Sequence, residues 1–118
     1  MNGYEVYKKA LSLMGQEDYT GESIEDIGLA KKALNSIETI CLDLEIKPPK
    51  SLSEEITADA VVCDACVWGV AMLLSLGLGD TQANRLFCDI YNSKRAYIKS
   101  KSEKIKDTLP VDDGGYDK

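Results

Sequence analysis

Residues 60–76, AVVCDACVWGVAMLLSL, form the most apolar stretch of the chain and are expected to decide its fold. Asp64 is the only charged residue among them, and Ala, Leu, Met and Cys outnumber the β-branched residues, which favours a helix over a strand. A helix that is apolar nearly all round is buried among partners. We therefore predict an all-α protein, a small bundle of about four helices with this helix at its centre.

A membrane span is the alternative for so apolar a stretch. Its seventeen residues would make a helix about 25 Å long, which falls just short of the roughly 20 residues that a bilayer core requires. Asp64, Gly69 and Ser75 lie inside it, and no cluster of Lys or Arg flanks it. The sequence therefore favours a buried helix and no membrane partner.

Length and composition are those of one globular domain. The chain has 118 residues, of which 44% are hydrophobic and 29% charged, enough for one core. No signal peptide is recognised, because charges interrupt the first apolar positions. We expect a protein of the cytoplasm, or of a particle assembled there, whose four cysteines are free thiols.

The charged residues exclude several functions. The chain has no histidine, which excludes Ser-His and Cys-His nucleophile pairs and Cys2His2 zinc fingers. The net charge of −6 disfavours groove-reading of DNA. The charge is uneven. Residues 94–106 hold six basic residues and one acid, a net charge of +5, and the rest of the chain has a net charge of −11. We predict no enzymatic activity and no bound cofactor.

Apolar periodicity predicts two helices in the first half of the chain. The first begins after Asn2, its N-cap, and ends at Gly15. The second begins near Ser23 and stops before Pro48 and Pro49, because the residue before a proline is pushed out of the α region. Its heptad seam comprises Ile27, Ala30, Leu34, Ile37, Cys41 and Leu44. A coiled coil would show the same repeat, but the wider apolar stripe favours packing within a bundle.

A third helix is predicted from about residue 53 to residue 76. Ser51 and Glu54 match a capping box, the reciprocal pair of hydrogen bonds that often begins a helix. Residues 76–80, LGLGD, then form a turn, in which the glycines can adopt positive φ.

The fourth helix is predicted to be capped by Asp80 or Thr81 and to run to about Lys99. Beyond it the apolar pattern fails, and Pro, paired Gly and many charges follow. We therefore expect a helical domain over residues 1–100 and a mobile tail over residues 101–118.

Two cysteines have the spacing of a chemical motif. Cys63 and Cys66 form a CxxC pair, which occurs in redox sites and as half of a zinc site. Redox pairs sit at a helix N-terminus after a strand, whereas these lie inside a predicted helix, so burial as small apolar residues is favoured. Asp64, between them, would have a raised pKa if buried alone, but pairing with a Lys or Arg of another helix is the commoner outcome. Gly69 is expected where another backbone comes close.

The basic stretch is the candidate partner interface. Cations are favourable at a helix C-terminus in any case, but Tyr combined with Arg is typical of protein contact patches, and nucleic acid is the second possibility. The residues predicted to form this interface are Tyr91, Lys94, Arg95, Tyr97, Lys99, Lys101, Lys104 and Lys106.

The second half of the chain carries a resemblance to a known family. WGVAMLL at residues 68–74 is followed by Gly79-Asp80, Asn84, Phe87, Tyr91-Asn92 and Lys94-Arg95. This order of a GVA helix, a short GD turn and a last helix with an aromatic pair before basic residues resembles the closing half of head-tail connector proteins, the neck adaptors or head-completion proteins of tailed bacteriophages and prophages. The first half, with its double proline and its CDAC pair, carries no matching motif.

The resemblance implies a non-enzymatic structural subunit. Such a subunit forms a homo-oligomeric ring, docks on the portal after DNA packaging and binds the next neck or tail protein. It implies the host cytoplasm during assembly and the virion neck in the particle, with DNA as a passing, non-specific contact. The alternative is a DNA-contacting packaging accessory of the small terminase type, which would use residues 94–106 on phosphates. A thiol or metal protein built on CDAC is a third hypothesis.

Overall fold

The computed structural model describes residues 1–15 and 27–108, with side chains for residues 1–15 and 31–101. Over these ranges the chain forms four helices and no strand, apart from one isolated β-bridge between Asn2 and Glu55. The helices are α1 (Gly3–Leu13), α2 (Ile27–Asp43), α3 (Ala60–Gly77) and α4 (Thr81–Thr108). The predicted small all-α bundle is confirmed, whereas the predicted start of α2 near Ser23 lies outside the described residues.

The apolar stretch is the central helix. α1, α2 and α4 all pack against α3. By length and composition α3 is also the one helix among the described residues that could cross a membrane, a test that the core helix of a soluble protein passes as well. Its buried residues are Cys63, Ala65, Cys66, Val67, Gly69, Val70, Ala71 and Ser75.

The predicted start and end of α1 and the predicted cap of α4 are confirmed. Asn2 caps α1 in a capping box, in which its side chain accepts from the amide of Glu5 at 3.0 Å and Glu5 accepts from the amide of Asn2 at 2.9 Å. The chain leaves α1 through Gly15 at a φ of 72°. In the LGLGD turn, Gly79 has a φ of 76°, and Asp80 caps α4 by accepting from the amide of Ala83 at 3.0 Å.

The predicted start of α3 near residue 53 is wrong. The helix begins at Ala60, where Asp59 accepts from the amide of Val62 at 2.9 Å. Before it, residues 51–54 form a turn, and the segment packs against the start of α1, where Leu52 and Ile56 are buried. The amide of Tyr4 donates to the carbonyl of Leu52, which satisfies backbone groups that a helix would otherwise use.

The predicted stop of α2 at the prolines comes too late. α2 ends at Asp43, and Glu45 has a φ of 62°. The amide of Ile46 donates to the carbonyl of Cys41 at 2.9 Å, the bond of a Schellman motif. The chain therefore turns before Pro48, and this turn places two acidic side chains, Asp43 and Glu45, at the end of α2.

The predicted end of α4 near Lys99 is also wrong, because α4 continues to Thr108. The first residues of the predicted tail are therefore helical. Its remainder, residues 109–118, lies outside the described residues, and the mobility of the tail stays a prediction.

Candidate functional site

The candidate site is built on the hairpin of α3 and α4, which a polar contact holds at its turn. The side-chain amide of Asn84 donates to the carbonyl of Met72 at 2.7 Å. Ser75, which is fully buried, donates its hydroxyl to the same carbonyl at 2.9 Å. These bonds satisfy buried polar groups and fix the register of the two helices.

Aromatic packing continues the contact along the hairpin. The rings of Trp68 and Phe87 meet edge to face with centroids 5.8 Å apart. Gly69 lies beside them, and a Cβ there would come within 2.8 Å of Ile40 and 2.9 Å of Tyr91. The predicted approach of another backbone at Gly69 is therefore wrong in kind: the groups that come close are side chains of α2 and α4.

A carboxylate at the end of α2 binds two residues of α4. Asp43 Oδ2 accepts from the Tyr91 hydroxyl at 2.5 Å and from Arg95 Nε at 2.8 Å. Burial raises the pKa of Asp43, but the hydrogen bonds from Tyr91 and Arg95 outweigh it and leave the pKa below its usual value. Burial, and then the bond to Asp43, raise the pKa of Tyr91. Asp43 is thus held as an anion that fastens α4 to α2.

Two further ion pairs use cations of the basic stretch. Lys94 Nζ lies 2.6 Å from Asp64 Oδ2 and 5.9 Å from the centre of the Trp68 ring. Lys99 Nζ lies 2.5 Å from Glu45 Oε2. The predicted pairing of Asp64 with a cation of another helix is confirmed. The sequence analysis did not predict that Asp43 and Glu45 bind this stretch. Two acids beside the end of one helix, together with a cationic helix elsewhere in the chain, were the available signal.

The structure divides the predicted interface residues into two groups. Tyr91 is 3% exposed, so its assignment to an exposed partner surface is wrong: helical periodicity also allowed it a place in the core, which it takes. Lys94, Arg95 and Lys99 are ion-paired within the chain. Tyr97 and Lys101 are exposed. The side chains of Lys104 and Lys106 lie outside the described residues.

Tyr97 and Lys101 form the exposed part of this surface. Tyr97 is 54% exposed, and Lys101 Nζ lies 5.5 Å from the centre of its ring. A tyrosine ring with a lysine ammonium group beside it is a common contact element in protein interfaces. The surface that remains available to a partner is therefore smaller than the predicted interface and lies nearer the C-terminal end of α4.

The register of the hairpin shows how far α4 extends. Because Asp64 contacts Lys94, and Ala60 lines one shallow cavity together with Tyr97, the first residue of α3 lies level with about residue 98 of α4. α4 then continues for about ten residues to Thr108, which is about 15 Å. We call residues 100–108 the α4 arm. Its basic residues are Lys101, Lys104 and Lys106, and its acidic residues are Glu103 and Asp107.

A second surface, which the sequence did not predict, lies near the other end of the hairpin. A groove with a volume of about 540 Å³ runs between α1, α2 and the last turns of α3. We call it the leucine groove. Its apolar lining includes Leu11, Met14, Leu73, Leu74 and Leu78, and its polar lining Lys32, Asn35 and Ser36. Leu78 is 58% exposed, and the run LLSLGL was the signal that an apolar surface remains at this end.

The cysteines are placed as packing residues. Cys41, Cys63 and Cys66 are buried, and Cys88 is partly buried. A hydrogen bond with Cys41, and then burial, raise the pKa of Cys66, while burial raises the pKa of Cys63. Among the described residues no group of three or more His, Cys, Asp or Glu is placed to hold a metal ion. Because α3 begins at Ala60, Cys63 lies in its first turn and the prediction of a mid-helix pair is wrong, but burial and the raised pKa values favour neutral, unreactive thiols at Cys63 and Cys66.

The residues of the family resemblance all have a place in the hairpin. Trp68, Gly69 and Phe87 pack it, Asp80 caps its second helix, and Asn84 joins its two helices. The resemblance is thus carried by residues that specify this hairpin. No protein-family model matches the chain, and neither a curated protein nor a solved structure matches it significantly.

Proposed function

We propose that this chain is a non-enzymatic structural subunit of a phage or prophage head-tail connector ring, which docks on the portal and links head to tail. The proposal begins from the resemblance of residues 68–95 to the connector family. The hairpin that these residues build agrees with it, since the apolar helix, the tight turn and the basic helix form one packed unit.

The observation that supports the proposal most is the α4 arm. It extends past the start of α3 and carries Lys101, Lys104 and Lys106 against Glu103 and Asp107, a net charge of +1, while the rest of the chain carries −7. A cationic helix end beyond the bundle suits contact with an acidic protein surface. An acidic remainder suits a channel through which DNA passes without binding.

The three ion pairs separate this function from the alternative, a DNA-contacting packaging accessory. Lys94, Arg95 and Lys99 are engaged with Asp64, Asp43 and Glu45. A phosphate surface built on residues 94–106 would therefore lose half of its six cations to contacts within the chain. The alternative predicts duplex binding that weakens steeply with salt, and absence of binding at low salt would eliminate it.

The genome that encodes this chain is searched for a portal gene, and the test is assembly of the chain with that portal protein. Purified chain and portal are mixed and observed by electron microscopy and native mass spectrometry. We expect a ring of this chain on the portal. Monomers alone, with no portal complex, would contradict the proposal.

The contribution of the α4 arm is tested by charge reversal. The triple variant Lys101→Glu, Lys104→Glu and Lys106→Glu should lose portal binding. The matched control is Lys8→Glu, Lys47→Glu and Lys50→Glu, which changes the net charge equally at exposed positions elsewhere. Equal loss in both variants would indicate an effect of net charge and argue against the arm as the contact.

A further inference from the structure

The leucine groove is an apolar surface with a cation at its edge. Leu73 and Leu74 are partly exposed, Leu78 is 58% exposed, and Lys32 is exposed on the α2 side. Asn35 and Ser36 add hydrogen-bonding groups along the same side. A ligand that fits this groove is an extended, apolar peptide segment followed by an acidic one.

The C-terminal end of the chain has that chemistry. Residues 109–113 read LPVDD, two apolar side chains around a proline and then two carboxylates. Proline fixes its own φ and pushes the preceding residue toward extended backbone, so this segment loses little conformational entropy when it binds as an extended strand. Its acids complement Lys32, and its Leu and Val complement the leucines.

The groove of the same copy is out of reach of this segment while α4 is intact. Asn84 bonds to Met72, so the groove end of α3 lies level with the first turn of α4. Thr108 is then about 36 Å further along α4. Leu109 follows Thr108 directly, and one residue spans at most about 3.6 Å. The segment can therefore fill only the groove of another copy.

We propose that the leucine groove of one copy binds residues 109–113 of a second copy. The contact is heterologous, because groove and tail are different surfaces, and such contacts close into rings or continue as filaments. That these contacts close into a ring rests on the proposed connector function. Binding of the tail to the groove is independent of that function, and this binding is measured in the absence of portal protein.

The experiment uses three forms of the full chain. The tail variant carries Leu109→Ser and Val111→Ser. The groove variant carries Lys32→Glu and Leu78→Glu, both at exposed positions, so the fold is preserved. The control variant carries Arg85→Glu and Leu86→Glu, an equivalent change at exposed positions of α4 outside the groove.

Analytical ultracentrifugation of each form gives the affinity of self-association. We expect the tail variant and the groove variant each to associate at least about tenfold more weakly than the unaltered chain, and the control variant to match it. A mixture of the two weakened variants should form a 1:1 dimer, since one supplies an intact tail and the other an intact groove. A contact between two identical surfaces would not be restored in this mixture.

Three outcomes would overturn the inference: unchanged association of both variants, no dimer in their mixture, or an unaltered chain that stays monomeric at about 1 mM, the effective concentration that linked neighbours provide. Portal binding is scored separately. If tail and groove bind but no portal complex forms, only the connector function fails; if rings form on portal with both variants, only this inference fails.

Discussion

The hydroxyl of Tyr91 donates a hydrogen bond of 2.5 Å to Oδ2 of Asp43 and thereby joins the middle of α4 to the last residue of α2. Arg95, one turn further along α4, donates to the same oxygen. Because Tyr91 also packs on Gly69 of α3, this one side chain contacts two of the other three helices, α2 and α3. The contact explains why a tyrosine of the predicted interface serves the fold.

Replacement of Tyr91 by Phe is expected to lower the free energy of unfolding by about 1.5–3 kcal/mol. The change removes a hydrogen bond to a charged group and keeps the ring. Urea denaturation followed by circular dichroism measures it. Tyr97→Phe is the matched control, because Tyr97 is 54% exposed, and it should change stability by less than about 0.5 kcal/mol. Equal effects of the two changes would contradict the buried contact.

The stability that Asp43 provides should depend on pH. Its pKa in the folded chain is lowered, so its contribution is present above the unfolded pKa of about 3.9 and is lost as the pH falls through the folded value. We expect the unaltered chain to be more stable than Asp43→Asn at pH 6, and the difference to shrink below about pH 4. Urea denaturation of both forms from pH 6 to pH 3 tests this. A difference that grows on acidification would contradict it.

Gly69 and Gly77 are both in α3 and should respond oppositely to alanine. A Cβ at Gly69 would meet Ile40 and Tyr91 at 2.8–2.9 Å, whereas nothing lies within 4 Å of one at Gly77. Gly69→Ala is therefore expected to destabilise by about 1–3 kcal/mol, more than the gain in helix propensity offsets, and Gly77→Ala to stabilise by up to about 1 kcal/mol. Thermal unfolding of both variants decides it, and a stabilising Gly69→Ala would show that α3 is not packed this closely.

The start of α3 can be tested with two residues of similar capping propensity. Asp59 accepts from the amide of Val62, whereas Ser53 lies in the turn of residues 51–54, before the helix begins. Asp59→Ala should cost about 1 kcal/mol and Ser53→Ala less than about 0.5 kcal/mol. Chemical denaturation measures both. The opposite order would place the start of the helix near residue 53, where sequence patterns predict it.

The sequence predicted the helices well where one local signal acted alone. The apolar stretch of α3, the Asn2 cap and the turn at Gly79 and Asp80 each follow from short-range chemistry. The start of α3 was not predictable in this way, because the burial of Leu52 across α1 overrides the local capping pattern at Ser51. Tertiary packing of this kind is invisible to a window of a few residues.

The candidate site was predicted only in part for the same reason. A charge count located the basic stretch, but it could not show that Asp43 and Glu45 lie within reach of it, since they are about 50 residues away in sequence. The leucine groove is likewise a product of three helices meeting. The sequence showed which groups were available, and the ion pairs between the end of α2 and α4 decided which cations remain free for a partner.

The four cysteines give a last test, which also decides between packing and thiol chemistry. Cys41, Cys63 and Cys66 are buried, and burial raises the pKa of Cys63 and contributes to raising that of Cys66, while Cys88 is partly exposed. A thiol reagent at neutral pH should therefore label Cys88 first and label the other three only when the chain unfolds, because the thiolate is the reactive form and the reagent must reach it. Mass spectrometry of peptides after timed labelling measures this order. Cys88→Ser serves as the control and should show little labelling in the folded chain. Rapid labelling of Cys63 or Cys66 in the folded protein would favour the reactive CxxC pair over its role in packing α3.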